Sequence, residues 1–180
     1  CIHGNHEERP YHIQTYRTQI WRGGEVYYEP EFPNIVFAKD GEIYDFDGKK
    51  AIAIGGAYSQ DKEYRLITGL PWFPDEQPDD KVKSQVVNKL NEVDWKIDYV
   101  FSHTCPLVYR PSQESVVNFE NIDSSTEEWM DEIAKKLPMS QVDRPAWDFN
   151  KLVETGFHKI QVEIAGSPLP MSFCIVAQKG

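Results

Sequence analysis

The chain has 180 residues, of which 40% are hydrophobic, and this is typical of one globular domain with its own core. Its 29 acidic and 19 basic side chains give a formal net charge of −10, which argues against a basic patch for a nucleic-acid backbone or an anionic membrane. The three cysteines are widely spaced and form no C-x-x-C pair, so they indicate neither a disulfide framework nor a cysteine-type zinc site. A reducing, cytoplasmic location is therefore expected, and no run of about 18 apolar residues predicts a membrane helix.

The first part of the chain predicts short β-strands. After a bend at Gly23-Gly24, a short strand extends until Pro30 stops it. Three apolar runs then follow, at Ile35–Ala38, Ile43–Phe46 and Ala51–Ile54. The third run, AIAI, has no polar alternation, which predicts a strand buried on both faces.

Turn residues separate these three runs. Asp40-Gly41 and Asp47-Gly48 lie between consecutive runs, and Asp-Gly favours the type I′ turn of a β-hairpin. The three runs together therefore predict an antiparallel meander. Gly55-Gly56, at the end of the third run, allows a sharp turn and a close approach of another group to the backbone.

The middle of the chain predicts a helix, a strand and a second helix. The first helix is expected at about Lys81–Val93, capped by an aspartate, and a buried strand follows at Ile97–Phe101. The second helix is expected at about Thr126–Leu137, where Ser125 and Glu128 match a capping box. Its apolar face consists of Trp129, Ile133 and Leu137. Strands that alternate with helices predict a layered α/β fold.

Three polar clusters are each predicted to follow a buried strand. They are Gly4-Asn5-His6-Glu7, Gly55-Gly56-Ala57-Tyr58-Ser59 and Ser102-His103-Thr104-Cys105. In layered α/β proteins the carboxyl ends of the strands form the edge at which ligands bind. We therefore expect the three clusters to converge on one site. Taken singly, each cluster is also compatible with an ordinary turn or a buried structural histidine.

The motif GNHE at residues 4–7 resembles the third signature motif of the calcineurin-like metallophosphoesterases. DYVFSHTCP at residues 98–106 resembles the next metal-binding histidine block of that superfamily. The connecting segments FAKDGEIYDFDGKKAIAIGGAYSQDKEYRL and WFPDEQP resemble bacterial and phage members, so the similarity extends from about Ile2 to Leu137. It implies part of a two-sheet β-sandwich flanked by helices at residues 1–137, followed by a divergent tail at residues 138–180.

The resemblance also implies an enzymatic reaction. Two divalent cations activate a water that hydrolyses a phosphate mono- or diester, and the phosphorylated substrate is a phosphoprotein, a nucleotide or a small ester. By this resemblance Asn5 and His103 would ligate one metal ion, and His6 would either donate a hydrogen bond to the phosphate or protonate the leaving group. The expected metals are Mn²⁺, Fe or Zn²⁺, with Mn²⁺ favoured for a bacterial or phage protein. Four further residues are candidates for the substrate mouth, with surface salt bridges as the alternative: Arg9, Tyr58, Asp61 and Arg65.

The chain departs from the family's pattern at both ends. The family's first two motifs, an Asp-x-His and a Gly-Asp pair, would precede residue 1 together with the opening strands of the sheet. The family's Gly-His-x-His block is also lacking, and His158 in TGFHK is a candidate ligand only as half of that motif. Asn5 and His103 thus account for two of the several ligands of a dinuclear site. The reaction and its two metal ions are therefore expected of the parent protein. This chain alone is expected to bind two metals poorly and to be a poor or inactive catalyst.

Two other interpretations stay open. The chain could be a non-catalytic relic or binding module that keeps the fold and lacks most metal ligands. Alternatively it could use thiol chemistry, either through Cys1 or through Cys105 beside His103. Metal analysis separates the first interpretation from a metalloenzyme, and sensitivity to alkylation would indicate the second.

Overall fold

The computed structural model describes residues 1–109, 122–137, 157–163 and 174–179. The chain divides into two compact units, one made of Cys1–Val108 with Val117–Pro138 and the other of Tyr109–Val116 with Met139–Gly180. In the second unit, β7 (Phe157–Glu163) pairs with β8 (Cys174–Lys179) as an antiparallel ladder, with a register shift between residues 157 and 159. All other strands and α-helices in the described ranges belong to the first unit.

The first sheet of this unit has three antiparallel strands in the order β1-β2-β3. They are β1 (Arg17–Trp21), β2 (Gly24–Tyr28) and β3 (Val36–Ala38). The turn between β1 and β2 has positive φ at both of its central residues, +49° at Arg22 and +87° at Gly23. This geometry is typical of a type I′ hairpin. The strand predicted after the Gly23-Gly24 bend is confirmed as β2, whereas β1 was not predicted.

The second sheet has the order β4-β5-β6. Its strands are β4 (Ile43–Phe46), β5 (Lys49–Ile54) and β6 (Tyr99–Ser102). The predicted hairpin between β4 and β5 is confirmed, with φ of +58° at Asp47 and +86° at Gly48. Strand β6 lies parallel to β5, with Ser102 opposite Ile54.

The predicted meander is wrong at Asp40-Gly41. Strand β3 pairs with β2 and β4 pairs with β5, so the turn at Asp40-Gly41 connects two different sheets. An Asp-Gly pair predicts that the chain turns, but it does not determine which strand the next segment pairs with. Here the carboxylate of Asp40 accepts hydrogen bonds from His3 and from the backbone of Gly55, so tertiary contacts fix this connection.

Three α-helices lie in the described part of the first unit: α1 (Lys62–Thr68), α2 (Asp80–Glu92) and α3 (Ser125–Lys136). Single 3₁₀ turns lie at Pro10–His12 and Leu107–Tyr109. The predicted aspartate cap of α2 is confirmed, because Asp79 Oδ1 accepts from Val82 N at 2.8 Å. The capping box predicted for α3 is wrong. Ser125 lies inside the helix, and its N–H donates instead to Asp123 Oδ1 at 2.9 Å.

Strand β5 forms the centre of the core, because its two faces are covered by different layers. Ile52 and Ile54 pack against α2 and α3, in a cluster completed by Val86, Leu90, Ile133 and Leu137. Ala53 faces the other way and packs with Val26 and Tyr44. The AIAI run is therefore buried on both faces, as predicted, and the first unit has a mixed α/β fold. No helix in the described ranges is long and apolar enough to cross a membrane.

Candidate functional site

The parallel pairing of β5 and β6 brings two of the three polar clusters to one edge of the sheet. Both strands end there, so the loops that begin at Gly55 and His103 start side by side. His103 N donates to Ile54 O at 3.1 Å, which fixes the second loop against the end of β5. The first cluster does not follow a strand, since residues 1–4 have no strand assignment. It is held instead by a backbone hydrogen bond of 3.1 Å from Gly56 N to His3 O.

Asn5 connects all three clusters through its side-chain amide. Its Nδ2 donates to Ser59 Oγ at 2.9 Å, in the loop that follows β5. Its Oδ1 accepts from His103 Nε2 at 2.9 Å, across a sequence separation of 98 residues. The structure thus places the two predicted metal ligands, Asn5 and His103, in direct contact.

The imidazole of His103 is half-buried, and burial lowers its pKa. The positive electrostatic influence of Arg9 and two neighbouring histidines adds to this lowering, whereas the carboxylate of Glu7 opposes it. A lowered pKa favours the neutral imidazole, which is the form that binds metals. Because the carbonyl oxygen of Asn5 can only accept, the neutral ring carries its proton on Nε2 in this arrangement.

The Asn5–His103 pair fits two ligands of a single cation. Two ligand atoms that each lie about 2.1 Å from a metal, with a right angle between the two bonds, are about 3 Å apart. Asn5 Oδ1 and His103 Nε2 are 2.9 Å apart, which is close to that distance. Within the described ranges, however, no group of three or more His, Cys, Asp or Glu side chains is placed to hold an ion. His158 lies in β7, and its side chain is outside what the structure describes. The described residues thus bring two candidate ligand atoms together without a third His, Cys, Asp or Glu beside them.

His6 belongs to a separate cluster of three charged or titratable side chains. Its Nε2 lies 3.0 Å from Asp61 Oδ1, and Arg65 Nη2 lies 2.7 Å from its Nδ1. Arg65 also donates from Nε to Asp61 Oδ2 at 2.8 Å, which closes the cluster. Since arginine always donates, Nδ1 of His6 accepts and Nε2 donates to the carboxylate. Asp61 and Arg65, expected at the substrate mouth, therefore both contact the predicted proton donor, whose side chain is 43% exposed.

Arg9 does not fit the expected role at the substrate mouth, because it is only 3% exposed. Its guanidinium donates to Gly4 O at 2.9 Å, to the backbone oxygen of Asp75 and to Nδ1 of His3. Burial lowers the pKa of this guanidinium, and nearby carboxylates oppose the shift. Arg9 thus supports the GNHE loop from within the protein.

Tyr58 lies half-buried in the loop after β5, with the Lys62 ammonium 6.0 Å from its ring centroid. Burial raises the pKa of its phenol, and nearby carboxylates add to the shift. The phenol therefore stays protonated at neutral pH and can act as a hydrogen-bond donor.

A buried connection between the first two loops was not predicted from the sequence. His3 Nε2 donates to Asp40 Oδ2 at 2.7 Å, and Asp40 Oδ1 accepts from Gly55 N at 2.6 Å. Together with the bond from Arg9, these contacts join the GNHE loop to the end of β5. A weak signal existed, because His3 directly precedes the motif. Asp40 had been assigned to a hairpin turn, which concealed its role.

No protein-family model matches this chain. A search of curated proteins and a search of solved structures likewise found no match.

Proposed function

We propose that this chain carries part of the metal centre of a calcineurin-like metallophosphoesterase, an enzyme that hydrolyses a phosphate mono- or diester with water. The observation that supports this most strongly is the 2.9 Å contact between Asn5 Oδ1 and His103 Nε2. Asn5 and His103 belong to two separate motifs that each resemble the superfamily. Their candidate ligand atoms, Asn5 Oδ1 and His103 Nε2, face each other at the edge of the sheet.

Asn5 and His103 would hold one of two divalent cations. An amide oxygen and an imidazole nitrogen suit Mn²⁺, Fe or Zn²⁺, and Mn²⁺ is the favoured ion. Once bound, the cations would supply a hydroxide nucleophile and polarise the phosphoryl group. Burial of His103 supports this role, since it keeps the imidazole neutral at lower pH and so reduces competition by protons. Coordination through Nε2 would require the ring proton, which Nε2 carries beside Asn5 Oδ1, to move to Nδ1.

His6 would donate a proton to the leaving oxygen. In the structure its Nδ1 accepts from Arg65, so the ring holds a single proton, on Nε2 beside Asp61. A bound phosphate would compete for Arg65, and release of Nδ1 would allow the ring to take up a second proton. Asp61 would stabilise the resulting imidazolium, which is the form that can protonate an alkoxide.

The substrate class stays broad: a phosphoprotein, a nucleotide or a small phosphate ester. The net charge of −10 gives no support for binding along a nucleic-acid backbone. The cysteine content supports a reducing compartment, and we place the reaction in the cytoplasm.

Metal binding by the 180-residue chain tests the proposal. Titration with Mn²⁺, followed by calorimetry, should show a site that Asn5→Leu and His103→Leu each weaken by about tenfold or more. His12→Gln is the matched control, because His12 is an exposed imidazole whose Nδ1 lies 3.8 Å from Asp75. Equal Mn²⁺ affinity in all variants would exclude the proposed ligands. A folded chain that binds no Mn²⁺ at all would support the alternative of a non-catalytic binding module.

Hydrolysis of p-nitrophenyl phosphate is the second measurement. Any hydrolysis by this chain should require Mn²⁺, disappear in His103→Leu and persist in His12→Gln. Activity that instead disappears on alkylation, without any dependence on metal, would point to thiol chemistry at Cys1 or Cys105.

A further inference from the structure

Ser59 is a buried polar residue that the proposed mechanism does not use. It lies in the loop after β5, and its relative exposure is 0%. A buried hydroxyl is unfavourable unless it is hydrogen-bonded. Its Oγ accepts from Asn5 Nδ2 at 2.9 Å, so its partner is one of the proposed metal ligands.

The position of Ser59 is itself fixed by a buried carboxylate. Ser59 N donates to Glu76 Oε1 at 3.1 Å, and Trp72 Nε1 donates to Glu76 Oε2 at 2.8 Å. Glu76 is 3% exposed, and its backbone oxygen accepts from Ala57 N at 3.0 Å. Oε1 and the backbone oxygen of Glu76 thus hold the loop in place, while Trp72 holds the carboxylate itself. The hydroxyl of Ser59 consequently has a defined position relative to Asn5.

The direction of the Asn5 amide determines whether it can bind a cation. An asparagine side chain has an oxygen at one end and an NH₂ group at the other, and only the oxygen is a metal ligand. With the NH₂ group directed at Ser59, the oxygen faces His103. In the reversed orientation the NH₂ protons would face His103 and would repel a cation.

We infer that Ser59 is a positioning residue: by accepting from Asn5 Nδ2, it holds the amide oxygen toward His103 and the cation position. The metal-related part of this inference rests on the proposed function. The amide orientation, by contrast, is a property of the chain alone and can be measured without metal.

The tautomer of His103 reports this orientation. When the amide oxygen faces His103, the neutral ring carries its proton on Nε2, and when the NH₂ group faces it, the proton must be on Nδ1. Imidazole ¹⁵N chemical shifts of the 180-residue chain, at a pH where the ring is neutral, distinguish the two forms. The Nε2–H form is expected in the unmodified chain. In Ser59→Ala the ratio of Nδ1–H to Nε2–H should rise about fivefold, the factor that one neutral hydrogen bond typically contributes.

Matched variants separate this effect from a general loss of stability. Ser59→Thr keeps the hydroxyl and should retain the Nε2–H form. Thr126→Val removes a different buried hydroxyl, which donates to Gln77 Oε1 at 2.7 Å, and should leave the tautomer unchanged. If Ser59→Ala does not fold, Ser59→Cys substitutes a weaker acceptor of similar shape and should shift the ratio in the same direction.

Three results would overturn the inference. The first is a His103 proton on Nδ1 in the unmodified chain. The second is a tautomer ratio unchanged in Ser59→Ala, or in Ser59→Cys where Ser59→Ala does not fold. The third is an equal shift in Thr126→Val. Titration of the same samples with Mn²⁺ tests the proposed function independently, through paramagnetic broadening of the His103 signals. Absence of broadening would remove the proposed metal site and leave the tautomer result standing. Broadening that needs more Mn²⁺ in Ser59→Ala, by up to about fivefold, would support both.

Discussion

Gly55 lies directly against the imidazole ring of His3. A Cβ atom at position 55 would overlap with three atoms of that ring. The ring cannot easily move aside, because its Nδ1 accepts from Arg9 and its Nε2 donates to Asp40 Oδ2 at 2.7 Å. The close approach of the two residues therefore connects the GNHE loop with the end of β5.

Gly55→Ala should lower the free energy of unfolding by about 1–3 kcal/mol, the range typical of overpacking a buried site. Urea denaturation of the folded chain measures this. In a chain that already carries His3→Ala, the further change Gly55→Ala should cost less, because the smaller side chain at position 3 removes the overlap. Gly23→Ala is the control, because Gly23 has a φ of +87° and open space around it. The cost of Gly23→Ala is therefore conformational, and it should add to the cost of His3→Ala. Additive losses for Gly55→Ala and His3→Ala would contradict the overlap.

Asp40→Asn should destabilise the chain by about 1–3 kcal/mol, because one carboxylate oxygen is replaced by an NH₂ group that faces a donor. Both oxygens of Asp40 accept, one from His3 Nε2 and one from Gly55 N. Asp47→Asn is a matched control, since the Asp47 side chain is 99% exposed and the change should stay within about 0.5 kcal/mol. Equal unfolding midpoints for the two variants would show that the Asp40 contacts contribute little.

Local patterns predicted most strands and helices, because hydrophobic periodicity and turn residues act over short distances. Strands β4, β5 and β6 and helices α2 and α3 lie within a few residues of the expected positions. Strand β1 was missed for a physical reason. All five of its residues are exposed, so the sequence RTQIW carries no apolar alternation that would mark a buried face.

The contact between Asn5 and His103 was predicted, although in the structure only His103 follows a strand. Asn5 and His103 were expected together because the carboxyl ends of parallel strands share one edge, and the structure places them in contact. Ser59 and Glu76 could not be paired in this way, since their hydrogen bond depends on how a loop packs. Arg9 was misplaced for the same reason, because a charged residue is normally exposed and no local pattern indicated its buried partners.

Stability should depend on pH through His103. Burial lowers the pKa of His103 in the folded chain below its ordinary value of 6.5, so the unfolded chain binds more protons between the two values. The free energy of unfolding should consequently be highest above about pH 6.5 and fall as the pH decreases toward the folded-state pKa. Urea denaturation across this range should give a weaker pH dependence for His103→Gln than for the unmodified chain. His12→Gln, at an exposed site, should keep the original dependence.

The role of His6 as a proton donor predicts a dependence on the leaving group. An alkyl phosphate releases an alkoxide that needs a proton, whereas p-nitrophenolate leaves without one. In a preparation with Mn²⁺-dependent hydrolysis, His6→Gln should lower kcat about 100-fold on the alkyl ester and much less on p-nitrophenyl phosphate. Asp61→Asn should show the same selectivity in weaker form, because Asp61 contacts the His6 ring at 3.0 Å. Equal losses on both substrates in His6→Gln would instead indicate that His6 binds the phosphate. The control variant His12→Gln should leave both rates unchanged.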